Sequence, residues 1–379
     1  MKRTGLLWFA AFTAVFAALA AFVFWGCWSP DFAFVAPDDA MTHETNLAAV
    51  WGSVLRTFWT RGCFIPSDIL GQGLLGSPDF CQELKYVAAL YCSGLGLAYF
   101  LRGRGLSLPA AFGAGLLLAF CGYWSTLFSA GHYGWFVWMT YGVFAFGLAD
   151  RAVRSGHYRH WLLLGATTAW GSFRQPDLWL LFTIFTGVYF LFCCVRERKF
   201  PWKGLLLAGA VFGAVGAPSF YDAFAVSLKN RDEQIAKGET VAPVAEGKKD
   251  AVAESETRWI FVTNWSLPAR ETAEFVVPRL NGDTSCPMTL SVGMRRGSGI
   301  KPYAGALGRP KDAPSGNYRQ HSLYVGWVTC LLALFAALGA GWKSREPKSR
   351  EVIFFAVAAL VFWLFSLGRY CEPVYRCVY

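Results

Sequence analysis

Four ionisable side chains, Asp38, Asp39, His43 and Glu44, stand within seven residues in the run Ala36-Pro37-Asp38-Asp39-Ala40-Met41-Thr42-His43-Glu44. The acids follow a proline just beyond the first apolar segment, where a polypeptide leaving a bilayer meets water. A carboxylate there can take the proton from an acceptor hydroxyl, or it can hold a divalent metal, Mg or Mn. The same residues also read as a solvated loop capping the next helix, because Asp is favoured at such caps. Asp38 and Asp39 cannot both be buried, charged and unpaired. If both take part in chemistry, a metal or a nearby cation is implied. His43 and Glu44 read as first-turn helix residues, with Glu favoured by the helix dipole.

Two further polar groups interrupt apolar surroundings. Arg174-Gln175-Pro176-Asp177 splits what is otherwise an apolar helical hairpin. Charge at membrane depth is costly and is usually directed at a polar cavity or a partner. Arg174 has the fork geometry to clamp a lipid-linked phosphate, with Gln175 and Asp177 beside it. The competing reading is an interfacial Arg174–Asp177 pair that only marks a turn. His132 and Tyr133 lie in a turn between two aromatic-rich spans. His132 is a candidate donor to a phosphate or a sugar hydroxyl. Tyr133, Trp135 and Trp138 are also explained by an interfacial aromatic belt.

The elements that must position these groups are membrane spans. The chain is 55% hydrophobic, 17% aromatic and only 16% charged, with 39 glycines. A soluble domain carries about 25% charged residues. The net charge of +10 sits between apolar runs. It therefore points to a membrane surface, and nucleic acid is not expected as a partner. A span needs about 20 apolar residues, and nine are read: 5–27, 86–101, 106–128, 134–149, 161–173, 177–195, 204–224, 323–342 and 352–368. The N-terminal run is too long, and too bulky at its end, for a cleaved signal peptide.

The connecting loops alternate strictly in charge. Segments 1–3, 102–104, 150–160, 196–203 and 343–351 hold fifteen Lys and Arg against Asp150, Glu197, Glu346 and Glu351. The positive-inside rule puts them, and the N-terminus, in the cytoplasm. Nearly every unusual polar residue then falls on the outer side. The resulting domains are a first span at 1–27, an outer loop at 28–85, a helix bundle at 86–224, a large outer loop at 225–322, and two last spans with an outer tail at 323–379. Within the first outer loop, Leu47, Val50, Trp51, Val54, Leu55 and Phe58 recur at helical spacing and predict an amphipathic surface helix. Residues 229–256 read as a mobile stretch or a surface helix, and order is expected to return from Trp259. Cys63 and Cys81 share a loop in which a disulfide could form. No CxxC pair, Walker A motif or dinucleotide-binding glycine pattern is present.

Three segments resemble the YfhO-like family of bacterial membrane proteins, within the GT-C glycosyltransferase superfamily. They are Asn264-Trp265-Ser266-Leu267-Pro268-Ala269-Arg270-Glu271 with Phe275 to Gly282, Ser129-Ala130-Gly131-His132-Tyr133-Gly134, and Phe365-Ser366-Leu367-Gly368-Arg369-Tyr370. Asp38-Asp39 fits the acidic first outer loop of that superfamily. The resemblance implies an all-α, GT-C-like transmembrane bundle in the bacterial inner membrane. It also implies transfer of a sugar from a polyprenyl-phosphate donor to an envelope polymer or lipid acceptor at the outer face, with Asp38 or Asp39 as base or metal ligand. Relatives continue beyond the ninth span, so the resemblance further implies a shortened member or a fragment. The competing expectation is a non-catalytic protein that binds lipid or glycan, transports it, or scaffolds envelope assembly.

Overall fold

The computed structural model describes residues 3–24, 78–130, 132–171, 176–236, 259, 262–263, 266–278, 280–281, 323–343 and 346–377. Among the described residues every regular element is helical. The elements are α1 (Arg3–Val23), α2 (Pro78–Gly103), α3 (Leu108–Ala119), α4 (Tyr123–Ala130), α5 (Tyr133–Ser155), α6 (Tyr158–Gly171), α7 (Pro176–Glu197) and α8 (Trp202–Ala236). After a 3-10 turn at Ala269–Phe275 come α9 (Trp327–Trp342), α10 (Pro347–Ser366), a second 3-10 turn at Gly368–Cys371, and α11 (Glu372–Tyr375). Among the described residues three stretches are long and apolar enough to cross a membrane: Thr4–Val23, Leu178–Glu197 and Lys348–Ser366. Shorter apolar stretches are Leu108–Ala119, Trp202–Ala217 and Trp327–Trp342. Large apolar side chains lie exposed along them, among them Phe22, Val195 and Phe335. In water that surface would be costly; against lipid tails it is not.

The helices depart from the hydropathy reading in three places. The expected span 106–128 is broken: α3 stops at Ala119 and α4 starts at Tyr123. Gly122 sits in the break, where an added Cβ would lie 2.5 Å from the Tyr324 ring. α8 runs on to Ala236, well past the apolar stretch, so the polar residues after 224 begin as helix. Finally, the basic segments are largely helix ends rather than loops. Asp150, Arg151 and Arg154 belong to α5, Arg196 to α7, and Lys348 and Arg350 to α10. Hydropathy falls where the charges begin, whereas the backbone ladder continues through them. Arg154 and Arg196 lie in last turns, where the helix dipole favours cations, whereas Lys348 and Arg350 lie in the first turn of α10.

The chain forms two compact units. The first comprises residues 1–120 and 131–239 and contains α1, α2, α3 and α5 to α8. Ring pairs fix the directions within it. Tyr86 meets Phe136 and Tyr99 meets Phe144, so α2 and α5 are parallel. Trp138 stacks on Phe182, and Phe146 meets Tyr189, so α7 runs the same way. Trp161 meets Phe190 while Trp179 Nε1 donates to the Thr168 carbonyl at 2.9 Å, so α6 is antiparallel to α7. Small residues allow the closest crossings. A Cβ on Gly94 would lie 2.9 Å from the Gly115 carbonyl oxygen, and one on Gly165 would strike the Ala208 carbonyl. Such contacts are the usual means of bringing helices together in lipid, where apolar burial gives little drive.

The second unit comprises residues 121–130 and 240–379. Its core is a joint between the 266–275 segment and the end of α10. Leu267 N donates to the Ser366 carbonyl at 2.7 Å, and Arg369 N donates to Ser266 Oγ at 2.9 Å. Trp363 Nε1 donates to Thr272 Oγ1 at 3.0 Å. Gly368 has φ +48° and packs directly against Ser266, so any side chain there would be strained in its backbone and would collide as well. Glu271 and Glu274 are buried, and Glu274 accepts from Asn281 N and Nδ2 at 2.8 and 3.0 Å.

Candidate functional site

The two ends of the seven-helix unit differ in chemistry. At one end are the N-termini of the parallel helices α2, α5 and α7, and with them the positive ends of three helix dipoles. His132 is the residue before α5. It is half-buried, its side chain makes no capping bond, and its carbonyl accepts from Trp135 N at 3.1 Å. Burial holds its imidazole below the ordinary value, so it is neutral at pH 7. Tyr133 is the first residue of α5 and Asp177 the second of α7. The Trp138–Phe182 stack, with ring centroids 5.5 Å apart, lies about one and a half turns along both helices. His132, Tyr133 and Asp177 are therefore backbone neighbours in height at the same end. The side chains of Tyr133 and Asp177 lie outside the described residues, as do Arg174, Gln175, Asp38, Asp39, Cys63 and the predicted surface helix. Among the described residues, no group of three His, Cys, Asp or Glu side chains is placed to hold a metal. The candidate metal ligands Asp38 and Asp39 are not among those residues.

The opposite end carries a cluster that sequence reasoning missed. Asp150 is fully buried, and three arginines from three helix ends converge on it. Arg196 Nη2 lies 2.6 Å from Oδ1, Arg154 Nη2 2.7 Å from Oδ2, and Arg104 Nη1 3.2 Å from Oδ1. Arg151 stacks on Tyr99 with its guanidinium 3.6 Å from the ring centroid, and Nη2 donates to the Tyr99 carbonyl at 2.9 Å. Arg154 and Lys199 donate to the carbonyls of Gly103 and Arg154, both helix-end acceptors. One signal was available: Asp150 and Arg154 are spaced i, i+4. The other two partners are each 46 residues away, at the ends of different helices. The three basic segments 102–104, 150–160 and 196–203, grouped by charge alone, thus meet at one end of one unit.

Two of the three family-like segments also meet. Ser266-Leu267 and Ser366-Leu367-Gly368-Arg369, about a hundred residues apart, form the joint of the second unit. No family model, curated protein or solved structure matches the chain.

Proposed function

We propose that this chain is a membrane glycosyltransferase of GT-C type, taking a sugar from a polyprenyl-phosphate donor to an envelope polymer or lipid acceptor on the extracytoplasmic face. The reading includes about nine spans in a bacterial inner membrane with the N-terminus in the cytoplasm. The observation that carries it is the polarity of the seven-helix unit. Cations neutralise the helix C-termini at one end, while the other gathers the N-termini of α2, α5 and α7 beside His132 and the backbone of Asp177. Aligned N-termini favour an anion such as a lipid phosphate.

In the proposed reaction Asp38 or Asp39 accepts the proton of the acceptor hydroxyl, whose oxygen attacks the anomeric carbon. The bond from that carbon to the phosphate oxygen breaks, and polyprenyl phosphate leaves with the electron pair. Arg174, with Gln175, Tyr133 and Asp177 in the same turns, holds the departing phosphate, and neutral His132 donates or accepts a hydrogen bond there. Positioning and charge stabilisation supply most of the rate. The test is transfer of labelled sugar by the purified full chain in liposomes. Asp38→Asn with Asp39→Asn, at matched expression, is expected to lower transfer by at least about a hundredfold, the weight of a lost general base. Undiminished transfer removes both from the mechanism. Donor binding without turnover in the native chain identifies a lipid-glycan binder instead.

A further inference from the structure

Among the described residues, the seven-helix unit has a groove at mid-height of α7 that runs toward the cationic end. It is formed by α6, α7 and α8, has a volume of about 330 Å3, and is lined by Gly165, Thr186, Gly187, Phe190, Leu205 and Gly209 among others. Its wall is almost wholly apolar. Gly187 and Gly209 have open space where a Cβ would stand, so the glycines widen the groove rather than bring helices into contact. Seven residues separate its ends on α7 (Thr183 to Phe190) and on α8 (Leu205 to Phe212). That makes a slot about 10 Å long, parallel to the helices.

The slot ends just short of a set of exposed cations. Lys203 is two residues before Leu205, Arg159 five before Leu164, and Arg198 and Lys199 close the turn between α7 and α8. The one acid in that turn, Glu197, is 3.1 Å from Arg196. Exposed Tyr158, Phe200 and Trp202 stand among the cations. Aromatics of this kind mark the depth of lipid headgroups, which puts the slot at the depth of the acyl chains. Arg198 adds an independent sign. It holds φ +51°, a left-handed conformation that closes a helix and that glycine adopts at no cost. Lys199 N completes the cap by donating to the Cys194 carbonyl at 3.1 Å. An arginine at this position accepts backbone strain in exchange for a charge.

We propose that this end of the unit holds an anionic glycerophospholipid, its phosphate against Arg198, Lys199, Lys203 and Arg159 and one acyl chain in the groove between α6, α7 and α8. Charge complementarity selects the headgroup, and the groove beneath distinguishes a seated lipid from diffuse attraction to a charged surface. The inference rests on the chain spanning a membrane and not on the transfer reaction, and its readout is lipid binding alone.

The experiment is native mass spectrometry of the full chain in non-ionic detergent, titrated with dioleoyl phosphatidylglycerol and separately with dioleoyl phosphatidylcholine. The native chain is expected to hold phosphatidylglycerol at least about tenfold more tightly. Arg198→Gly with Arg159→Gln and Lys203→Gln should abolish that preference without lowering the melting temperature, because glycine relieves the cap and Lys199 keeps its bond to the Arg154 carbonyl. Gly187→Leu with Gly209→Leu, each a gain in helix propensity, should remove binding while leaving the cations intact. Equal affinity for the two lipids overturns the proposal. So does unchanged phosphatidylglycerol binding in the leucine variant, or equal competition by soluble glycerol phosphate, which would reduce the site to a surface charge effect.

Discussion

Asp150 illustrates how one side chain can fix three helix ends. Its carboxylate gathers Arg104, Arg154 and Arg196, and Arg154 in turn caps the Gly103 carbonyl at the end of α2. Asp150→Asn keeps the volume but removes the carboxylate that the three guanidiniums share. Removing one partner of a buried ion group costs about 3–5 kcal/mol. Arg154 is about a third exposed, so solvent screening reduces the expected loss to about 2 kcal/mol, read as a lower denaturation midpoint in detergent. His160 sits beside this cluster, its Nδ1 2.9 Å from Ser155 Oγ. Burial and then the charges of Arg159, Arg151, His157 and Arg154 hold its imidazole below the ordinary 6.5. The native state therefore binds this proton less readily than the unfolded state. The contribution of His160 is complete above about pH 6.5 and is lost as the pH falls through the lower native value. His160→Gln should flatten the stability profile between pH 7 and pH 5, and a slope as steep as that of the native chain would contradict this.

At the level of elements, two classes of glycine sit in the same helix pair and should behave oppositely. Gly165 is where α6 and α8 touch backbone to backbone, so Gly165→Val must push them apart, a loss of about 1–3 kcal/mol by overpacking. Gly209 faces open space, and Gly209→Leu should leave the melting temperature unchanged or raise it. Equal losses at both positions would mean that the helix pairing is wrong. Much of the architecture was legible from sequence because spans and charges are local properties: apolar runs marked α1, α7 and α10, and Lys and Arg marked the helix ends. The failures have physical causes. The α3–α4 break lies in continuous apolar sequence, and only the approach of Tyr324 to Gly122 reveals it. The polar extension of α8 was hidden because hydropathy reports the solvent and not the backbone. Asp150 read as one acid among many bases because its partners come from distant parts of the chain. Of the candidate site, the turn position of His132 was legible. Its half-burial, which sets its neutral state, depends on packing that no spacing rule supplies.

For the whole molecule, the account turns on a difference between two ends. In the proposed arrangement the cations and the anionic-lipid groove belong to the cytoplasmic face, and Asp38, Asp39, His132 and Arg174 to the outer face. Both the proposed transfer reaction and the proposed lipid seat depend on that division. The most direct test is topological. Single cysteines at positions 39, 132, 174 and 198 would be probed with a membrane-impermeant maleimide on intact spheroplasts, with labelling resolved site by site by mass spectrometry. The account predicts that positions 39, 132 and 174 are labelled from outside and that position 198 is labelled only after permeabilisation. Labelling of position 198 from outside, or of the other three only after permeabilisation, would contradict it.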